Sequence, residues 1–282
     1  SAMRYEIKDV FHPSDFTRGS EAAFVHALRI ALAVKGRLEV FHSDASSQGT
    51  QWVDFPSAFE YLRRWKMIPP EAGRDAAAEL GLYFKKIQVD GTDPSDQIVN
   101  YLVHHRADLI VLSTHQRKGL ERWMHRAVAE PVTRSTEAMS LFVPRSTRGF
   151  ISPATGRTHL SSILIPIDAH PAPQRAVDAI ITLAHLLCGS DPVTFTLLFA
   201  GAADEMPKVR FPPRRTWQVV EQCVEGEPEE VILDAVKEFA ADLIVMATEG
   251  KKGFLDALRG TVTERIVRSA PCPVLTVPAF PS

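Results

Sequence analysis

The residues between 247 and 264 are those in this chain best suited to hold an anion. The stretch opens Ala247-Thr248-Glu249-Gly250-Lys251-Lys252-Gly253 and closes Gly260-Thr261-Val262-Thr263-Glu264. Glycine lets a backbone approach a ligand closely and accepts left-handed angles. Thr261 and Glu264 have the S/T-x-x-E spacing of a capping box, so Thr261 is expected to be the N-cap of a helix. The first N–H groups of a helix have no intrahelical acceptor and carry partial positive charge. A glycine in front and a hydroxyl at the cap then make an anion site. Lys251 or Lys252 would add a point charge toward outer phosphates. Alone, Gly260-Thr261-x-x-Glu264 is an ordinary helix start.

Other chemistry is poorly represented. The chain has no G-x-S-x-G elbow, no G-x-x-x-x-G-K-[ST] loop and no G-x-G-x-x-G after its first strand pattern. Phosphoryl transfer needs a positioned acceptor and usually Mg²⁺ on carboxylates, and Glu249 is the single carboxylate in the loop. Slow hydrolysis of a bound nucleotide is the most that this apparatus allows, and no catalytic residue is assigned. His12, His26, His42, His104, His105, His115 and His125 crowd the first half, but none has zinc-motif spacing to a cysteine or carboxylate. Cys188, Cys223 and Cys272 are odd in number and widely spaced, so they read as inert core thiols rather than a disulfide framework. No metal site is expected. Arg117, Lys118, Arg122 and Arg126 read as a solvated or protein-contacting helix face, with only Trp123 as an interleaved aromatic. Net charge is −2, and residues 1–148 hold 20 Lys+Arg against 18 Asp+Glu, the remainder 12 against 16. Neither half has the basic excess of a nucleic-acid binder. No apolar run approaches the ~20 residues of a membrane span. Ser1-Ala2 ahead of Met3 reads as a cloning remnant, and the polar Met3-Arg4-Tyr5-Glu6 is unlike a signal peptide, so the cytoplasm is the expected compartment.

The elements that must position the anion site come as two copies of one unit. Ala107-Asp108-Leu109-Ile110-Val111 recurs letter for letter as Ala241-Asp242-Leu243-Ile244-Val245. The same offset aligns Thr114 with Thr248, Lys118-Gly119 with Lys252-Gly253, Glu130 with Glu264 and Val143-Pro144 with Val277-Pro278. So long a period is a duplicated domain rather than a solenoid. Each copy alternates short apolar runs with helical patterns, which predicts β-α-β units in a doubly wound parallel sheet. The first copy is read as strands at 7–12, 38–42, 83–89, 109–113 and 140–143, with helices at 20–34, 55–67, 70–80, 97–105 and 128–135. The second is read as strands at 163–167, 193–199, 217–224, 243–246 and 274–277, with helices at 173–187, 229–239 and 262–268. Residues 201–216, with Pro207, Pro212 and Pro213, are too short and proline-rich for two helices, so a loop is expected there. Residues 146–161 read as the linker. The edge strands 141–143 and 274–277 are candidates for contact between the copies, because an unpaired apolar edge invites pairing.

Ligands of open parallel sheets bind beyond the carboxyl ends of the strands, where the loop after residue 246 begins. At this point the chain resembles the universal stress protein family, whose ATP-binding members carry G-x2-G-x9-G-[S/T] there. The second half reads Ala247-x2-Gly250-x9-Gly260-Thr261, departing only at the first position. The family's Pro-x-Asp at the end of the first strand appears as Pro166-Ile167-Asp168, and Ala270-Pro271-Cys272-Pro273-Val274 is similar to the family's approach to its last strand. The likeness implies a Rossmann-like fold of the adenine nucleotide alpha hydrolase type, in tandem. It implies that Asp168 and the backbone near Ala200 and Met246 meet the adenosine, and that Gly250, Gly260, Thr261 and Val262 hold the phosphates, with Pro166, Ile167, Ala247, Thr248, Lys251 and Thr263 beside them. The matching positions of the first half are Ser113, Gln116, Arg126 and Ala127, which lack both the glycines and the cap hydroxyl. Pro13-Ser14-Asp15 is retained, but no ATP is expected there.

The expectation is therefore an α/β chain of two doubly wound domains, 3–148 with a degenerate site and 158–282 with an ATP site, packed as an internal pseudo-dimer. ATP, with Mg²⁺ left open, would be a regulatory ligand of a stress-response protein. An unidentified protein partner is expected, and the likeness also allows a homodimer. The competing reading is an interaction scaffold that binds no nucleotide, or a slow ATPase.

Overall fold

Runs that are apolar at every position become central strands covered on both faces. Residues Met139–Pro144 and Val274–Ala279 are buried throughout, and Leu109–Thr114 at every position but one. The structure is a computed structural model that describes residues 5–14, 20–44, 57–90, 94–114, 137–145, 147, 149–249 and 260–279. In chain order the described elements are β1 (Asp9–Pro13), α1 (Glu21–Val34), β2 (Arg37–Asp44), α2 (Ala58–Arg64), α3 (Arg74–Glu79), β3 (Tyr83–Asp90), α4 (Pro94–His104), β4 (Leu109–Thr114) and β5 (Met139–Pro144). They continue as β6 (Ser162–Pro166), α5 (Gln174–Cys188), β7 (Val193–Phe199), β8 (Trp217–Cys223), α6 (Pro228–Glu238), β9 (Leu243–Glu249), α7 (Val262–Ser269) and β10 (Val274–Ala279). The helix expected over 128–135 lies outside the described residues.

All ten strands form one sheet in the order β3-β2-β1-β4-β5-β10-β9-β6-β7-β8. Each half thus repeats the order 3-2-1-4-5 of a doubly wound sheet, and every pair within a half is parallel. The seam is antiparallel: Phe142, Leu141 and Ser140 of β5 lie opposite Val274, Leu275 and Thr276 of β10. One face of the sheet is covered by α1 and α5, which bury Phe24, Leu28, Ile180 and Leu183 in a core shared by both halves. The other face is covered by α4, α6 and α7 through Ile98, Leu102, Ile232, Val236, Ile266 and Val267.

The strict repeat has a structural cause. Asp108 Oδ2 accepts hydrogen bonds from the amides of Lys8 and Asp9, both at 2.9 Å. Asp242 Oδ2 does the same for Ser161 and Ser162, at 2.9 and 3.0 Å. In each half one carboxylate at the start of the fourth strand satisfies two amides entering the first.

Three expectations are corrected. The helix predicted over 70–80 is confined to α3, because Pro69, Pro70 and the N-cap Gly73 delay its start. Strand β9 runs three residues beyond 246, since Val277, Pro278 and Ala279 of β10 continue the pairing opposite Ala247, Thr248 and Glu249. The residues read as a linker are packed: Phe150, Ile151 and Leu160 are buried in the core. The Phe150 amide donates to Nε2 of buried His26 at 2.9 Å, while His26 Nδ1 donates to the Ala22 carbonyl at 2.6 Å. Further along, Trp65 Nε1 donates to the Pro153 carbonyl at 2.8 Å, and Arg29 Nε to the Gly156 carbonyl at 3.1 Å. Gly156 has φ 70°, and a Cβ there would come within 2.4 Å of the Trp65 ring, so no larger residue fits.

Candidate functional site

Strands β6, β7 and β9 all end at the same edge of the second half, and the amino terminus of α7 faces them. These ends enclose a cavity of about 300 Å³. Of the residues predicted from sequence, Pro166, Ile167, Asp168, Ala200, Met246, Ala247, Thr248, Thr261, Val262 and Thr263 line it. Gly260 is described but lies outside its wall, and Gly250 and Lys251 lie outside the described residues. Glu249, read from sequence as the carboxylate of the loop, lines it too, and His170, Pro171, Pro173, Leu198, Phe199, Pro228 and Ile232 also line it without having been anticipated. Of these, Pro173 and Phe199 are ends of elements read from the sequence, the helix at 173–187 and the strand at 193–199.

The cavity wall is made of two chemical kinds of residue. Ile167, Leu198, Phe199, Ile232 and Met246 are buried and make an apolar floor under the strand ends. Backbone pairing fixes that floor, because the Ile167 amide donates to the Leu198 carbonyl at 2.8 Å. Behind it Gly201 is required, since a Cβ there would sit 2.7 Å from the Phe199 ring. The rest of the wall includes Thr248, Thr261 and Thr263 and the first turn of α7. Asp168 is exposed at the rim, where Oδ1 accepts from the Ala169 amide at 2.6 Å.

The capping box forms as its spacing predicts: Thr261 Oγ1 accepts from the Glu264 amide at 3.1 Å. The returning carboxylate reaches one residue further than usual, to the Gly260 amide. Its other oxygen accepts from Arg268 Nε and Nη2 at 3.2 and 2.9 Å, so the charge of Glu264 is matched within its own helix. Arg265 pairs with Glu229 at 2.9 Å and ties α7 to α6. Gly260 has φ 71° with nothing within 4 Å of a would-be Cβ. Left-handed backbone, not crowding, therefore demands glycine there. Thiol chemistry is absent from the site. Burial, aided by the Asp191 and Asp242 charges, pushes Cys188 up to about 11, and burial with Asp242 pushes Cys272 up to about 12.

Strand register places the first-half counterparts: Pro13 with Pro166, Ser14 with Ile167, Phe41 with Leu198, His42 with Phe199 and Leu112 with Met246. His42 Nδ1 donates to the Ser14 carbonyl and His12 Nδ1 to the Val111 carbonyl, each at 2.9 Å. Ser14 and His42 are thus polar where the second half has Ile167 and Phe199, while Phe41 and Leu112 stay apolar like Leu198 and Met246. Gln116, Arg126 and Ala127, the expected failures of a phosphate cradle, lie outside the described residues, as does Asp15. Among the described residues, no group of three or more His, Cys, Asp or Glu is placed to hold a metal, and no helix is long and apolar enough to cross a membrane.

A universal stress protein of Methanocaldococcus jannaschii is 45% identical over 56 residues, 20% of this chain and 33% of that protein. One of Thermus aquaticus is 43% identical over 54 residues, 19% of this chain and 39% of its own length. The chain therefore spans between a third and two fifths of the curated relatives it matches. In overall fold it is similar to a universal stress protein from Archaeoglobus fulgidus, at 13% identity and TM-score 0.57 over 98% of both chains. It is also similar to a functionally unknown protein from Pseudomonas aeruginosa, at 14% identity and TM-score 0.54 over 99% of this chain and 95% of that one. The model of the Universal stress protein family matches residues 6–144 and 214–278, one segment in each half. By that match, which takes in well over half of its residues, the chain belongs to the universal stress protein family.

Proposed function

We propose that the second half binds ATP as a regulatory ligand in the cavity at the ends of β6, β7 and β9, and that the first half binds none. One observation carries the reading: a single cavity joins an apolar floor suited to adenine with hydroxyls and a helix amino terminus suited to phosphate. The floor supplies burial and the amides of α7 supply electrostatic complementarity. Asp168 and Glu249 are the carboxylates of its wall. Mg²⁺ arriving on the phosphates would meet them through water, a common mode for that ion. No nucleophile or general base is assigned, so turnover is at most slow. The proposal includes a cytoplasmic setting, two folding domains at 3–148 and 158–282 packed as a pseudo-dimer, and a response exerted through a protein partner or a second copy of the chain.

Equilibrium binding of labelled ATP tests this directly. One site per chain is expected, and ATP at a thousand times its Kd should stabilise the fold by ~4 kcal/mol. Two equal sites would refute the asymmetry. No binding and no thermal shift at millimolar ATP would leave a scaffold that binds no nucleotide. Phosphate release at a rate that collapses in Glu249→Gln would make the protein an ATPase instead.

A further inference from the structure

The connection from β7 to β8 departs most from its first-half counterpart. Between β2 and β3 the chain builds α2 and α3 over the sheet. Between β7 and β8 it makes a single 3-10 turn, Ala203–Glu205, and then runs without helix or strand over residues 206–216. This strap is anchored rather than loose. Val209 and Phe211 pack against the core, with the Phe211 ring 4.7 Å from that of Phe195. Gln174, at the start of α5, holds both backbone groups of Arg210: its Oε1 accepts the amide at 2.8 Å and its Nε2 donates to the carbonyl at 3.1 Å.

Because Val209 and Phe211 face inward, the residues between and after them face out. Lys208, Arg210, Pro212, Pro213, Arg214 and Arg215 are all exposed. Arg214 lies over the Trp217 ring at 4.5 Å and its Nη1 donates to His185 Nδ1 at 2.6 Å, and together these hold its guanidinium on the surface. Among the described residues none of the four cations is ion-paired. The row stands out in a half whose Asp+Glu outnumber Lys+Arg, 16 to 12.

We propose that this strap is a docking surface for an acidic segment of a partner protein. Guanidinium forks bind carboxylates bidentately. A backbone fixed beforehand by Gln174 and Phe211 loses little entropy on binding. A nucleic acid is disfavoured because the outward face carries no aromatic on which a base could stack: Phe211 is packed on the core and Trp217 is buried. A membrane is disfavoured because the exposed row offers no large apolar side chain. The surface shares no residue with the cavity wall, and its first cation, Lys208, comes eight residues after Ala200 of that wall.

A fluorescein-labelled poly-glutamate peptide tests the assignment by fluorescence anisotropy with the full chain. Saturable binding that weakens with salt is expected. The triple variant Arg210→Glu, Arg214→Glu, Arg215→Glu should bind it at least ~10-fold more weakly, since each lost contact is charge-assisted. The single reversal Arg157→Glu, at an exposed position of the connection between the halves, should bind like the parent. Circular dichroism and melting confirm that each variant is folded. The proposal is overturned by absent or unsaturable binding, by equal loss in the control, or by no loss in the triple variant. It is overturned equally if a single-stranded oligonucleotide or phosphatidylserine vesicles engage the same arginines more tightly than the peptide.

Discussion

Pro13 and Pro166 end equivalent strands, yet the ground beyond them differs. After Pro166 the chain lays down Ile167, and β7 offers Leu198 and Phe199, so the strand ends are capped by carbon. After Pro13 come Ser14 and, from the neighbouring strand, His42, locked together by a hydrogen bond of 2.9 Å. The scaffold around both is the same, down to the aspartate that gathers two amides in each half. The difference teaches that the lining of a cavity is separable from the fold that holds it: strands and staples recur while Ile167 and Phe199 of one half are Ser14 and His42 in the other.

The harshest way to break the comparison is Gly260→Arg, which gives the second half the residue that the first has at the matching position. A positive φ with a Cβ strains the turn, and the added cation changes the mouth of the cavity. Labelled-ATP binding should fall by at least ~100-fold, equivalent to ~3 kcal/mol, while the first half contributes no residual site.

A nearly equal effect comes from acid, and it acts on the first half. Burial drives His26 from 6.5 down to about 4, the Ala22 carbonyl opposing weakly. The folded protein resists protonating it while the unfolded chain does not. Its contribution to stability is thus intact above pH 6.5 and is lost as pH falls toward 4. The loss amounts to ~3 kcal/mol over that window. Urea unfolding at pH 7 and pH 4.5 measures it, and His26→Phe should flatten this part of the profile. An unchanged slope would show that His26 is not the titrating group.

The staples sharpen the comparison more gently. Asp108→Ala and Asp242→Ala each strand two amides, so each should lower the unfolding free energy by ~2–3 kcal/mol. Equal losses would establish equivalent scaffolds; a loss confined to one half would not. Smallest is Thr261→Ala, which removes the cap hydroxyl of α7 and should cost ~1 kcal/mol, a few degrees of melting temperature. Its effect on ATP affinity should exceed that stability loss if the hydroxyl also meets phosphate.

Much of this was legible beforehand, and the misses share a cause. The doubled Ala-Asp-Leu-Ile-Val run announces two copies of one parallel β-α-β unit, and Thr261 with Glu264 announces a helix start. Where residue type itself carries the signal, sequence suffices. Phe199 and Pro173 join the cavity wall only because their elements end there, and Ile232 because α6 runs beside it, and nothing in an apolar side chain says which edge it will meet. The connection after β5 misled for a related reason. Its serines, threonines, glycines and arginines average to a linker, yet three apolar anchors, Phe150, Ile151 and Leu160, decide its path.

The antiparallel seam between β5 and β10 has an evolutionary reach beyond its packing. Two separate copies of a single repeat that met through such a pairing would share one gene, and any substitution would appear on both sides of the axis at once. Joined in one polypeptide, the partners are inherited together yet mutate apart. A histidine can enter one floor while the other keeps its phenylalanine, and neither has to stand alone while it changes.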